Sequence, residues 1–263
     1  MKTIVQFLVV VFVFTLYYSA LRAQCPDRKV LWSRIVTLRD SIQSPPAKQL
    51  AELLPYLEEI KQCDKQDDST YALLLQRIGW LYVLQKNDYE KCIQLHKKAL
   101  TIINKQGFKL YGDLLLPVRI YNNLRICYDS LRQVKDKMDA GDSCIATALR
   151  LKTGYKYVVP PLYARVVNFF QKSEYRRCIE DAELGESLIM DHPDAEIDSS
   201  YYSYAFVVWK INALYRSKKF DVAERIILEK INQSKGSQTR ESLGSLYSLY
   251  ADIKEAKGEI NSK

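Results

Sequence analysis

From residue 27 to residue 257, apolar side chains recur at three- and four-residue intervals in eleven runs, and the breaks between runs are only a few residues long. This is the period of an α-helix with one face turned to a core. Helices are expected near 27–43, 47–62, 69–84, 88–104, 114–132, 135–151, 160–171, 174–190, 199–216, 219–233 and 239–257. Breaks this short leave room for a reversal and little else, so consecutive helices pair as antiparallel hairpins. A hydrophobic share of 48% with only 9 Gly and 8 Pro in 263 residues suits such a chain, with enough apolar surface for a core and few helix breakers. The expected class is all-α.

One local frame recurs inside the hairpins: YEKCIQL at 89–95 is echoed by YRRCIED at 175–181. Cys92, Cys178 and Ala223 share a slot, three residues after Tyr89, Tyr175 and Phe220. A slot filled by Cys, Cys and Ala asks for a small side chain where two helices approach, and a free cysteine behaves there as a small hydrophobe. LLLQRIGWLY with NDYEKCIQLHKKAL resembles a tetratricopeptide repeat, a helix pair of about 34 residues. Ile78, Gly79 and Tyr82 fill its first-helix signature, and Tyr89, Cys92 and Ala99 its second. The turn is one residue longer than the family's, and His96 stands where an aromatic is usual. YNNLRICY (Asn123, Leu124, Tyr128), followed by DSCIATALRL, resembles a degenerate second unit with Arg125 in place of glycine. FFQKSEYRRCIEDAELG (Phe169, Tyr175, Cys178, Ala182) and YRSKKFDVAERII (Tyr215, Phe220, Ala223) resemble two more. The resemblance implies a right-handed superhelical array of antiparallel helix hairpins, a tetratricopeptide-like α-solenoid.

The two ends depart from this array. Residues 1–23 carry Lys2, an apolar run from Ile4 to Tyr18 broken by Gln6 and Thr15, and a close in small Ala23, which reads as a signal peptide cleaved before Gln24. A membrane anchor is the competing reading, since Ile4 to Leu21 is nearly long enough to span, but Gln6 and Arg22 favour cleavage. Gln24 separates Ala23 from Cys25, which disfavours lipidation. The expected domains are 1–23, signal peptide; 24–66, an N-terminal helical hairpin; and 67–263, tetratricopeptide-like repeats with the last one incomplete. In that last unit Ala251 takes the small position, Gly258 the turn and Ile260 the start of the second helix. Leu246, Tyr247, Tyr250 and Ile253 are then expected to form an apolar face without a partner helix, and the chain to be the front part or a truncated copy of a longer polypeptide.

Cysteine placement suits an oxidising compartment. Cys25 opens the first helix and Cys63 closes the second, equidistant from the Ser44-Pro45-Pro46 turn, so an antiparallel hairpin sets them side by side as a disulfide. Cys127 and Cys144 also flank a turn, but both lie within helices, where side-chain direction must agree as well as level, and their pairing stays open. Cys92 and His96, four apart on one helix face, supply only two ligands, and no CxxC, HExxH or second Cys/His cluster completes a metal site. Packing is the expected role of both, and His192, in the acidic segment MDHPDAEID, reads as a solvated turn. No phosphate loop, nucleophile elbow or paired carboxylates emerge, so no catalytic residue, cofactor or metal is expected.

Removal of Lys2 and Arg22 with the leader takes the formal net charge from +8 to +6, and the remaining bases are interleaved with acids (KNDYEK, RSKKFDVAER) as on an ion-paired helix face. Nucleic acid is not an expected partner, nor is a membrane after cleavage. CPDR at 25–28, LLLQRIG, YNNL, YDSL, DSCIATALRL and YYSYAFVVWKINALY together resemble the N-terminal repeat region of exported bacterial proteins in which such repeats precede a CHAT domain, a caspase-like peptidase fold. The resemblance implies a non-catalytic, periplasmic or extracellular scaffold that binds a protein or peptide partner, or its own C-terminal domain. The His and Cys dyad of that domain has no counterpart here. On the repeat frame the groove candidates are Gln76, Trp80, Asn122, Ile126, Trp209 and Arg216, with the two tryptophans as anchors. Either tryptophan can instead pack between neighbouring hairpins. The competing function is the sensor region of a signalling protein whose membrane and output domains lie beyond residue 263, and a self-sufficient enzyme is the third class.

Overall fold

A computed structural model describes residues 25–41, 44–63, 68–106, 113–193, 198–233 and 240–259, without the side chains of 199–200 and 240–243. The leader, Gln24 and Ile260 lie outside them. Every regular element described is helical: α1 (Arg28–Asp40), α2 (Pro46–Lys61), α3 (Ser69–Lys86), α4 (Tyr89–Lys105), α5 (Leu116–Ser130), α6 (Val134–Leu151), a 3-10 turn (Tyr155–Tyr157), α7 (Val159–Gln171), α8 (Tyr175–Asp191), α9 (Ser199–Arg216), α10 (Phe220–Gln233) and α11 (Arg240–Ala256). Within each compact unit, helices from α2 to α5 and from α6 to α11 pack on their neighbours in sequence, as in an α-solenoid.

Local chemistry sets the helix ends. Asp27, Asp68, Asp88 and Asp198 accept hydrogen bonds from first-turn amides and start α1, α3, α4 and α9. Asn87, Arg132, Ser173 and Lys218 each adopt a left-handed backbone, with φ between 52° and 61°, two residues before the next helix begins. Gly258 (φ 74°) stands in the same relation to Ile260 in the sequence. One backbone device therefore stands before four helices of the described residues, α4, α6, α8 and α10.

The chain divides into two compact units, residues 1–132 and 133–263. In the first, α3 is the central helix. It packs on α1, α2, α4 and α5, and Ser69 to Gln76 are all buried together with Ile78, Gly79, Leu81 and Val83. A helix apolar on every side belongs inside a fold, and the run LLLQRIG has that character. Gly79 is where α4 comes closest: a Cβ there would lie 2.6 Å from Nδ1 of His96. Cys25 and Cys63 stand at disulfide distance, with Cα atoms 5.9 Å apart. Cys92, Cys127, Cys144 and Cys178 are free and buried.

In the second unit α9 packs on α7, α8 and α10, and Phe206 is its fully buried wedge. Gly185 on α8 admits that ring; a Cβ there would meet it at 2.4 Å. The shared small slot is closed in both units, since Cys92, Cys178 and Ala223 are all inaccessible to solvent. The C-terminal face differs from expectation. Leu246 (1% exposed) and Ile253 (0%) are buried in one core with Ile211, Leu214, Ala223, Ile227 and Ile231, because α11 lays this stripe against α9 and α10. Tyr250 packs on the edge of that core, and only Tyr247 stays open, at 54%.

Candidate functional site

The first chemistry-bearing group is the pair four residues apart on α4. His96 Nδ1 lies 2.9 Å from the carbonyl of Cys92 and 3.3 Å from its Sγ, while Nε2 lies 3.2 Å from Nδ2 of Asn123 on α5. Nδ2 of Asn123 can only donate, so Nε2 accepts and the ring proton sits on Nδ1, where it is donated to the Cys92 carbonyl. That tautomer has no base to offer the Cys92 thiol. Both side chains are fully buried, and the hydrogen bond with Cys127, with burial behind it, raises the Cys92 thiol far above its ordinary value. Burial holds His96 at about 4, neutral near physiological pH. The group can cement α4 to α5; it cannot attack a substrate. No cluster of three metal-ligating side chains occurs among the described residues.

The groove candidates fall into two groups. In the first unit Gln76 and Asn122 are only 6% and 9% exposed, and Asn122 Oδ1 accepts from the Arg125 guanidinium at 3.2 Å, so neither offers much surface to a partner. Gln76 is closed in because α3 is covered by four helices. Trp80 is half-buried, packed against Val83, Cys92 and Cys127, and Ile126 is half-buried on α5.

In the second unit Trp209 belongs to an aromatic seam between α7 and α9. Its ring meets Phe170 edge-on with centroids 5.0 Å apart, and its Nε1 donates to the Tyr163 hydroxyl at 3.4 Å. Tyr163 in turn faces Tyr202 (5.8 Å) and Tyr201 (6.2 Å) edge-on, and Phe170 faces Tyr175 (5.7 Å). A hydrogen bond with Tyr163 raises the Tyr201 phenol above its ordinary value. On the same helix as Tyr163 and Phe170, Arg165 forks onto Asp181 at 2.6 and 2.8 Å, fixing α7 on α8, and reaches Asp142 at 3.0 Å. Tyr163, Phe170, Tyr175, Tyr202 and Trp209 are half-buried and Tyr201 is exposed, so the seam is only partly covered. Arg216, exposed, ends α9 two turns beyond Trp209.

Tyr163, Phe170 and Tyr202 were not among the sequence candidates. Their signal was available: 163 and 170, and 202, 209 and 216, are seven apart, which puts each set on one helix face. His192 also differs from expectation, being half-buried and stacked on Tyr155 with centroids 3.8 Å apart.

No family model matches the sequence, and no curated protein matches it. Among solved structures, the crystal structure of BtubC (BKLC) from P. vanneervenii is similar in fold, with a TM-score of 0.50 at 14% identity over 83% of this chain and 76% of that one.

Proposed function

We propose that this chain is an exported, non-catalytic binding scaffold that captures an extended peptide or a protein segment on the aromatic seam of α7 and α9. The observation that carries the reading is a set of six aromatic side chains, pre-positioned by edge-to-face contacts and by the Arg165–Asp181 fork, and only partly covered. Rigid rings with polar tips give a large contact area at little entropic cost, which is why such residues dominate binding energy. In this reading Trp209 and Arg216 contact the partner, joined by Tyr163, Phe170, Tyr201 and Tyr202. Export is supported by the signal-like leader and by the Cys25–Cys63 pair. No helix among the described residues is long and apolar enough to cross a membrane. A place ahead of a caspase-like domain, which the sequence resemblance suggests, belongs to the same proposal and is read directly from the downstream coding sequence.

Peptide display against the immobilised mature chain tests the binding. Selection is expected to converge on one motif with saturable affinity, weakened about tenfold or more by Tyr201→Ala or Trp209→Ala, each checked for an intact thermal transition. Failure to converge, or equal affinity in both variants, would refute it.

A further inference from the structure

In the N-terminal unit three arginines from three helices converge: Arg39 near the end of α1, Arg77 on α3 and Arg119 on α5. All three act on Asp40, and Arg39 and Arg119 act on Arg77. Among the described residues two carboxylates answer the three cations. Asp40 takes Nε and Nη2 of Arg39 at 2.7 and 3.2 Å, and Asp113 pairs with Arg119 and lies 3.5 Å from Nη1 of Arg39. Among the described residues Arg77 receives no carboxylate of its own. Its Nη2 donates to Oε1 of the buried Gln49, whose amide nitrogen is spent on the Ser44 carbonyl at 2.7 Å.

Three polar atoms of this neighbourhood, Nε of Arg77, Nε of Arg119 and Oγ of Ser44, are closed off from water and have no hydrogen-bond partner among the described residues. Such orphans are rare in a folded protein because each costs the desolvation of a strong donor. Two of them here are guanidinium Nε–H groups, the donors that meet an oxyanion in a planar fork. Burial, and then the neighbouring arginines, make Arg77 a weaker holder of its proton than an ordinary arginine. An arriving anion relieves both defects at once. Arg77 and Arg39 are partly open to solvent, which leaves a way in.

We propose that the Arg77 cluster is an oxyanion-binding site. Arg77 is the principal ligand and Arg119 Nε–H a second donor, while Arg39 and the two aspartates hold the arginines in place. The ligand is a phosphate or carboxylate group, either free or carried on an acidic side chain of a bound peptide. The site stands one helical turn from Trp80 on α3 and from Asn122 on α5, and it does not depend on the aromatic seam of the other unit.

Thermal melts of the full mature chain at fixed ionic strength test this with two probes, inorganic phosphate and an N-acetylated tetraglutamate peptide, against chloride. At least one probe is expected to raise the melting temperature saturably where chloride does not. Arg77→Gln should weaken the apparent affinity about tenfold or more, and Arg176→Gln, at an exposed position far from the cluster in sequence, should leave it unchanged. A response to phosphate alone assigns a free anion; a tighter response to the peptide assigns a group carried by the partner. If Arg77→Gln fails to fold, Arg77→Lys, which keeps the charge and loses the fork, is read by the same criterion. No saturable response to either probe, or an undiminished one in the Arg77 variant, overturns the proposal.

Discussion

His96 shows how one residue's surroundings decide between a catalyst and a packing element. Cysteine, histidine and asparagine are within contact, yet the amide of Asn123 forces the proton onto Nδ1 and the backbone carbonyl of Cys92 takes it. The ring is thereby fixed against Gly79, and that fixation is measurable. Gly79→Ala places a Cβ 2.6 Å from Nδ1 and 2.8 Å from Cε1 of a ring tied at both nitrogens, so it should cost about 1–3 kcal/mol in chemical denaturation. The same ring sets an acid sensitivity. Its value in the fold, about 4, lies below the ordinary 6.5, so the unfolded chain takes up the proton first. Stability from the neutral ring is complete above about pH 6.5 and is lost as pH falls toward about 4. Melting temperatures recorded across that window should fall for the wild type and flatten in His96→Phe; a parallel fall in the variant would assign the sensitivity elsewhere.

Among the elements, the turns hold strain that can be removed. Ser173 and Lys218 sit in the left-handed region at φ 61° and 59°, where a Cβ is disfavoured, and Gly258 takes the corresponding position without that cost. Lys218→Gly should therefore raise stability by up to about 1 kcal/mol, the relief of strain being offset in part by a more disordered unfolded chain. A loss in equilibrium urea unfolding would show that the lysine side chain does something the backbone argument omits. The helices were legible in the sequence because a 3.6-residue period is local, and so was the Cys25–Cys63 pairing, because an antiparallel hairpin fixes levels by counting. The face of Leu246 and Ile253 was misjudged because α10 and α9 already supply its cover, a tertiary fact with no local trace. Gln76 and Asn122 failed as open groove residues for a related reason: a repeat frame gives the level of a side chain and not what a neighbouring helix lays over it. The Arg39, Arg77 and Arg119 cluster carried no sequence signal at all, since its members are 38 and 42 residues apart and belong to no shared period.

At the scale of the whole molecule, the N-terminal unit depends on α3 being covered, and two of its covering helices are short of other anchorage. α1 and α2 pack on α3, and their mutual contact includes the Arg34–Glu52 ion pair, half exposed and therefore weak. The covalent tie at Cys25 and Cys63, spanning 38 residues, restricts the unfolded chain far more than such a pair can. In the chain-entropy model a loop of that size contributes roughly 3–4 kcal/mol. Reduction, or Cys25→Ser with Cys63→Ser, should therefore loosen α1 and α2 and uncover Leu73, Leu74 and Leu75 of α3, which are buried in the folded chain. Hydrogen exchange followed by mass spectrometry locates the effect. Amides of α1, α2 and then α3 should lose protection when the bond is cut, while those of α9 and α10, held by the Phe206 wedge and the Ile211–Ile227 core, should keep theirs. Equal loss throughout the chain would mean that the tie supports more than its own unit, and no loss in α1 would mean that packing on α3 is sufficient without it.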